Sequence, residues 1–555
     1  MNAFQMILFI LTLVIDGALL ELGKNTLPGW LLSAAAAAVY LRLRRNNLED
    51  SRFLLRAAAY VLLVVILAAC AYVSSPPVRA IPAFDYRNPA VTQPVTVKQG
   101  QLTGVCNKEG TVELYAGIPY AKPPVGELRW KEPQEPEKWD GIRACDTFAP
   151  MSMQTRTNTV FASLTDIAVF HRFSISLKDN FLEPMSEDSL YLNIWKPAGE
   201  VKDAPVLFFI HGGSLTGGQT SYSEYNGEEL ASRGIIVVNC AYRLGVFGYY
   251  ASDELAAESS NGTTGNYGLL DQIQALRWVK ENIAAFGGDA DNITIAGESA
   301  GSSSVNAICV SPLAKGLFRR AVGGSSSITA IRPYHTFRTM EAALKMGNSI
   351  KEEFGCSSVS ELRQVSAEKL VNTRYTNSSM TVDGYAITEQ PYLTYEKGNN
   401  NEEALLNGFN THEADLFMLF DKVSAEDYVG AIRPVLGDNA EEAVKQYPPR
   451  PVDKRYHYIV ERGGDAKGSC NEIYSAAWFT YSHFSWSRYL TDNGSPVYAY
   501  WFDKDNKGLG SNHAGELPYF YGNLGRHRWL YGEDDDALSE TMMQYLLNFV
   551  RTGDP

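Results

Sequence analysis

A serine flanked by glycines is the feature of this sequence most suited to chemistry. The pentapeptide reads Gly297-Glu298-Ser299-Ala300-Gly301. Glycines two positions to either side of Ser299 remove the side chains that would clash in a sharp turn from a strand into a helix. The pattern therefore predicts an exposed Ser299 hydroxyl at the apex of such a turn. Nucleophilic acyl transfer requires a hydroxyl placed in this way.

The segments around Ser299 decide whether the motif marks a nucleophile, because G-x-S-x-G arises readily by chance in a chain rich in Gly and Ser. Residues 267–286 carry apolar side chains at helical spacing and are followed by two glycines. The apolar run 293–296 predicts a buried strand, and the small residues 300–310 predict a buried helix. The order helix, strand, serine, helix is the one that a nucleophile turn needs.

A second glycine turn offers a place for negative charge. The apolar run 205–210 predicts another buried strand, and it ends in His211-Gly212-Gly213-Ser214. Backbone without bulky side chains can point its N–H groups at the oxyanion of a tetrahedral intermediate. An ordinary turn after a strand is the alternative, and the nearby serine motif favours the oxyanion interpretation.

A histidine is needed to activate the serine, and where the serine lies on a strand-to-helix turn the histidine follows it along the chain. His513 lies in the glycine-flanked loop 510–517, after the strand-like run 497–502. We therefore predict that His513 is the general base.

Several stretches together resemble the type-B carboxylesterases of the α/β-hydrolase fold, a group that includes cholinesterases and bacterial p-nitrobenzyl esterases. The similarity covers roughly residues 95–555. It implies an α/β domain with a mostly parallel central sheet flanked by helices, a serine carboxylic ester hydrolase activity, and no metal or organic cofactor. The matching stretches are 116–121 (AGIPYA), 187–193 (EDSLYLN), 241–248 (AYRLGVFG), 265–301 and 548–555 (NFVRTGDP).

The resemblance also implies roles for further residues. Glu413 corresponds to the family's catalytic acid, which would hold the imidazole of His513 in its working tautomer. Asp415, two residues further on, is the alternative acid. The histidine motif departs from the family at Ala514, where a glycine is usual.

The oxyanion hole implied by the resemblance consists of the backbone N–H groups of Gly213, Ser214 and Ala300. Glu298 places a second carboxylate directly before the nucleophile, where it could act electrostatically. The expected reaction proceeds through an acyl-enzyme on Ser299.

Composition and sequence restrict the classes of ligand that this chain is expected to bind. The net charge of −14 offers no electrostatic basis for binding nucleic acid. Cholinesterases bind choline on a tryptophan, but residues 151–186 contain none, so small to medium uncharged esters are the expected substrates. The alternative function is that of a catalytically silent, cholinesterase-like binding or adhesion protein, although Ser299, Glu413 and His513 are all retained.

The first part of the chain predicts a membrane anchor. Apolar stretches cover about residues 3–20, 27–41 and 57–73, of which the first and third reach the length of a membrane-spanning helix. The second is short and alanine-rich, so two or three helices could span. The arginines between the second and third stretches place that loop in the cytoplasm and the catalytic domain on the extracytoplasmic side of the cell membrane. Lipidation of Cys70 is an alternative form of anchorage.

The predicted domain organisation has three parts. Residues 1–73 form the membrane-anchoring segment, residues 74–94 form a proline-rich linker, and residues 95–555 form the hydrolase domain. Related proteins normally continue beyond the final Gly-Asp-Pro, so we expect the C-terminus to be truncated.

Overall fold

The computed structural model describes residues 3–48, 51–156, 183–331, 335–453, 463–504, 511–527 and 531–555. The chain divides into two compact units. The first contains residues 1–80 and 156–184, and the second contains residues 81–155 and 185–555.

Three helices build the described part of the first unit: α1 (Ala3–Leu22), α2 (Leu27–Asn46) and α3 (Phe53–Ser74). Their shared core is small and includes Phe9, Tyr40 and Leu67. Many large apolar side chains of α1 and α3 instead point outward. By length and apolar composition, α1 and α3 could each cross a membrane. The second predicted stretch becomes a longer helix that includes arginines near its end, and it does not meet this criterion.

The second unit is built on a mixed sheet. Among the described residues its strand order is β14-β13-β12-β11-β9-β10-β8-β4-β3. Neighbours are parallel from β14 across to β10 and antiparallel across β8, β4 and β3. The strands are β1 (Val95–Val97), β2 (Gly100–Thr103), β3 (Val105–Cys106), β4 (Val112–Pro119), β5 (Ile142–Ala144), β6 (Met151–Ser152), β7 (Met185–Ser186), β8 (Tyr191–Pro197), β9 (Ala204–Ile210), β10 (Ile236–Cys240), β11 (Gly288–Glu298), β12 (Arg320–Gly324), β13 (Ala404–Asn410) and β14 (Val497–Phe502).

Helices flank this sheet and give the second unit the α/β architecture that was predicted. The α-helices are α4 (Glu228–Ser232), α5 (Gly245–Tyr249), α6 (Asp253–Glu258), α7 (Tyr267–Asn282), α8 (Ala300–Val310), α9 (Met340–Glu353), α10 (Val359–Arg363), α11 (Ala367–Leu370), α12 (Pro391–Glu396), α13 (Tyr428–Leu436), α14 (Ala440–Gln446), α15 (Lys467–Ser475), α16 (Tyr481–Asp492), α17 (Leu517–Phe520) and α18 (Glu533–Thr552). A π-helical turn, Ala476–Thr480, joins α15 to α16.

The central strands read as continuous apolar runs because both of their faces are covered. In β9, Phe208 and Ile210 enter the core on one side of the sheet, whereas Leu207 and Phe209 enter the core on the other. Side chains of a strand alternate between the two faces, so a strand buried on both sides must be apolar at every position.

Four parallel strands direct their carboxyl ends to one edge of the sheet, which is where open α/β sheets place their sites. The segments that follow β9, β11, β13 and β14 carry the predicted functional residues. In the same order these are Gly213 and Ser214, then Ser299 and Ala300, then Glu413, then His513.

Part of the predicted linker packs onto the second unit. The N–H of Ala83 donates to the carbonyl of Asp146 at 2.8 Å, and the N–H of Cys106 donates to the carbonyl of Ala90 at 2.8 Å. These bonds join residues 83 and 90 to the rest of the second unit, to which residues 81–94 belong.

Candidate active site

Ser299 occupies a strained turn between β11 and α8. Its backbone has φ +57° and ψ −129°, a conformation that L side chains rarely adopt and that is common at active sites. A Cβ at position 297 would lie 2.4 Å from the carbonyl carbon of Gly301, and a Cβ at 301 would lie 2.0 Å from the carbonyl oxygen of Ile210. Both flanking glycines are therefore required by the turn, for the steric reason that the sequence suggested.

Glu413 and His513 contact each other directly. His513 Nδ1 lies 2.5 Å from Glu413 Oε2, and the second carboxylate oxygen accepts the N–H of Asn410 at 2.7 Å. Glu413 is completely buried, so its charge is held by these partners. In Asp415, the alternative acid, Oδ1 accepts a hydrogen bond from Asn471 Nδ2 at 2.8 Å. The contact pattern supports Glu413 as the acid that orients His513.

The other ring nitrogen of His513 faces a second carboxylate. Nε2 lies 3.3 Å from Glu298 Oε1, and it has no hydrogen-bond partner within the described ranges. The structure thus brings the residue preceding Ser299 next to the imidazole, without closing a hydrogen bond between the Ser299 hydroxyl and Nε2. Hydrogen bonds of catalytic groups are often open in unliganded enzymes and close when substrate binds.

The buried charges shift the protonation of this site. Burial alone would lower the pKa of His513, but the carboxylates of Glu298 and Glu413 raise it to about 9. Burial raises the pKa of Glu298, an effect that His513 opposes. Because these two groups are in contact, their titrations are linked and belong to the pair.

Two phenylalanine rings border the imidazole. The ring centroids of Phe417 and Phe479 lie 5.1 Å and 5.0 Å from that of His513. Phe417 is half exposed, so part of this apolar surface is open to solvent. Residues 157–182, which include most of the segment without tryptophan, lie outside the described residues.

The loop after β9 passes close to the nucleophile. A Cβ on Gly212 would lie 2.9 Å from the Cβ of Ser299. Gly213 has φ +108°, and Ser214 also has a positive φ of 55°. Ala300 is the first residue of α8, so its N–H lies at a helix N-terminus, where anions are favoured. The three predicted oxyanion residues therefore come from two segments that meet at Ser299.

Gln154 holds the end of this loop in place, a role that was not predicted from the sequence. Its Oε1 accepts the N–H of Gly218 at 3.0 Å, and its Nε2 donates to the carbonyl of the same residue at 2.8 Å. The side chain is almost fully buried. This two-point contact fixes the end of the loop that follows β9.

A third buried carboxyl, Glu516, lies behind the acid. Glu516 Oε2 accepts Asn410 Nδ2 at 2.6 Å, and the Asn410 backbone in turn holds Glu413. Burial raises the pKa of Glu516 to about 7, helped by the negative charge of Glu413. Glu516 follows His513 by three residues in the chain, but this spacing alone did not predict its contact with Asn410.

The chain is similar in sequence and fold to known carboxylesterases. Residues 91–555 match the sequence profile of the carboxylesterase family. The chain is 32% identical over 484 residues to the para-nitrobenzyl esterase of Bacillus subtilis (83% of this chain, 90% of that protein). It is also 32% identical over 484 residues to the medium-chain fatty acyl-CoA hydrolase precursor of Anas platyrhynchos (82% and 83%). The crystal structure of the Geobacillus stearothermophilus carboxylesterase EST55 is similar, with a TM-score of 0.70, 33% identity, and coverage of 84% of this chain and 91% of that one.

Proposed function

From the premise that this chain belongs to the carboxylesterase family and is a carboxylic ester hydrolase, we propose that it acts through an acyl-enzyme formed on Ser299. Glu413 and His513 complete the catalytic triad. The observation that carries the proposal is the contact between His513 Nδ1 and Glu413 Oε2 at the same sheet edge as the strained Ser299 turn.

The reaction has two steps. His513 Nε2 takes the hydroxyl proton as Ser299 Oγ bonds to the ester carbonyl carbon, and the alcohol leaves with that proton. Water then attacks the acyl-enzyme with His513 again acting as base, which releases the acid and restores Ser299. The N–H groups of Gly213, Ser214 and Ala300 stabilise the oxyanion in both steps. Loss of one such donor typically costs on the order of 100- to 1,000-fold in kcat.

The proposed substrates are small to medium uncharged esters. The phenylalanine rings beside His513 supply apolar contact area for an acyl or alkyl group. A cationic alcohol group would need a cation-binding side chain. Residues 151–186 lack the tryptophan that binds choline in cholinesterases. Comparing kcat/KM for butyrylcholine with that for its neutral isostere 3,3-dimethylbutyl butyrate tests this preference. We expect the neutral ester to be favoured, and a preference for the cation would contradict the proposal.

Hydrolysis of short p-nitrophenyl esters tests the mechanism. Ser299→Ala should lower kcat by about 1,000-fold or more, because the nucleophile is removed. Ser303→Ala is the matched control, since Ser303 lies one turn further along α8 and its hydroxyl bonds to that of Ser326. The control should keep nearly all of its activity. Equal rates for wild-type protein and Ser299→Ala would overturn the proposal.

We also place the enzyme at the cell membrane with its catalytic unit on the extracytoplasmic side. The support is the outward-facing apolar surface of α1 and α3, together with the arginines that follow the second apolar stretch. Protease added to intact cells should then digest the catalytic unit, and digestion only after permeabilisation would contradict this orientation.

A further inference from the structure

One helix carries a row of buried polar side chains. Lys467, Asn471 and Ser475 recur every fourth residue along α15, and each is at most 5% exposed. Residues four apart lie on the same face of a helix. A buried polar row is costly unless each member finds a partner, so the partners of this row indicate its purpose.

All three side chains bond to the segment around Glu413, which we call the acid loop (residues 411–421). The contacts are Lys467 Nζ donating to the carbonyl of Met418, Asn471 Nδ2 donating to Asp415 Oδ1 at 2.8 Å, and the N–H of Ala414 donating to Ser475 Oγ at 2.9 Å. Two of these partners directly follow Glu413 in the chain. The row therefore fixes the backbone on the C-terminal side of the catalytic acid.

The same helix also reaches the base. Beyond Ser475 the chain continues without interruption into the π-helical turn, whose Phe479 packs on the ring of His513. π-Helical turns are rare in proteins. Those that do occur inside longer helices are often found at functional sites. One continuous helical segment thus contacts both the loop of Glu413 and the ring of His513.

We propose that α15 positions the Glu413–His513 pair, and that Asn471 and Asp415 are positioning residues for hydrolysis. The proposal rests on the triad given under the proposed function. Without the Asn471–Asp415 bond the acid loop would shift, and the Glu413 carboxylate would no longer meet Nδ1 of His513. A displacement of this kind lowers kcat, because it acts on the orientation of the base. The bond lies between two protein side chains, so KM should stay nearly unchanged.

A double-mutant cycle tests the proposal on the full chain. Asn471→Ala should lower kcat by about 10-fold with little change in KM, in line with the cost of misplacing a catalytic group. In a Glu413→Gln background the same substitution should lower kcat by less than about twofold, since contacting residues that act as a unit are not additive. Equal losses in both backgrounds would show a general structural effect and would overturn the proposal.

Further variants separate the outcomes. Asp415→Asn keeps an acceptor for Asn471 and should retain kcat. Asp415→Ala removes the acceptor and should lower kcat as Asn471→Ala does. If Asn471→Ala fails to fold, Asp415→Ala takes its place in the double-mutant cycle. Asn107→Ala is the matched control, because Asn107 is also buried and its amide donates to a carboxylate, that of Glu228, away from the acid loop. If Glu413→Gln itself leaves kcat unchanged, the proposed triad fails. If Glu413→Gln lowers kcat but neither Asn471→Ala nor Asp415→Ala does, only the positioning role fails.

Discussion

His513 Nε2 lies 3.3 Å from Glu298 Oε1, so the imidazole stands between two carboxylates. Glu413 meets one ring nitrogen and Glu298 faces the other. The arrangement stabilises the imidazolium that forms during catalysis. Both carboxylates also raise the pKa of His513, to about 9.

Replacing Glu298 should change the pH dependence of hydrolysis. His513 acts as a base only when it is neutral, so kcat/KM rises with pH as the imidazolium loses its proton, at an apparent pKa raised to about 9. Glu298→Gln removes one of the charges that raise this pKa. The rise of kcat/KM should move to lower pH by about 1–3 units. The check is the pH profile of kcat/KM for a neutral ester.

The matched control for this prediction is Glu402→Gln. Glu402 is a buried carboxyl bonded to Tyr395 and Trp486, away from the triad, so its replacement should leave the profile in place. A profile for Glu298→Gln that stays fixed, or moves to higher pH, would remove the electrostatic role assigned to Glu298.

Replacing Gln154 should disturb the loop after β9, which carries the proposed oxyanion donors Gly213 and Ser214. Gln154→Ala removes both bonds to Gly218 and lets the loop that carries Gly213 and Ser214 move away from the nucleophile. We expect kcat to fall by on the order of 10- to 100-fold, the usual cost of about 1 Å of misplacement. Replacing the exposed Gln101 by alanine provides the control. Equal kcat for the Gln154→Ala and Gln101→Ala variants would show that Gln154 does not hold the loop for catalysis.

Ala514, the residue after His513, should accept replacement by glycine with a gain in stability. Ala514 has φ +64°, where a Cβ is unfavourable. Ala514→Gly should raise the free energy of unfolding by about 0.5–1 kcal/mol, as measured by urea denaturation. Ala443→Gly, inside α14, should instead lower it by about 1 kcal/mol. If both substitutions destabilise the protein equally, the backbone strain at Ala514 is energetically unimportant.

The apolar helices of the first unit should anchor the full chain in a membrane. The protein should stay with the membrane fraction after alkaline carbonate extraction and dissolve only when detergent is added, since large apolar side chains face outward from α1 and α3. Release by carbonate alone would show that the helices do not span.

Local sequence patterns predicted the turn at Ser299 and the strands that lead to the candidate site. The glycines around Ser299 and the apolar strand runs report short-range constraints, namely a turn that excludes side chains and strands covered on both faces. The unusual Ala514 was visible in the sequence as a departure from the family, and the structure gives the physical reason in its positive φ.

Long-range contacts could not be predicted in this way. Gln154 and Gly218 are 64 residues apart, and Asn471 and Asp415 are 56 residues apart. A buried glutamine or asparagine carries no periodic signature, so only the fold shows which backbone it holds. The resemblance implied a mostly parallel sheet, and it did not indicate where the antiparallel strands at one side would lie.

The strand that delivers the histidine loop forms one border of the described sheet, and its Trp501 side chain is 67% exposed. A border strand is joined to a neighbour on one side only, and such regions open locally at lower free energy than the centre of a domain. We therefore expect the loop that carries His513 to loosen before the centre of the sheet. On warming, turnover should then fall while the interior strands are still intact, at a temperature below the melting of the sheet.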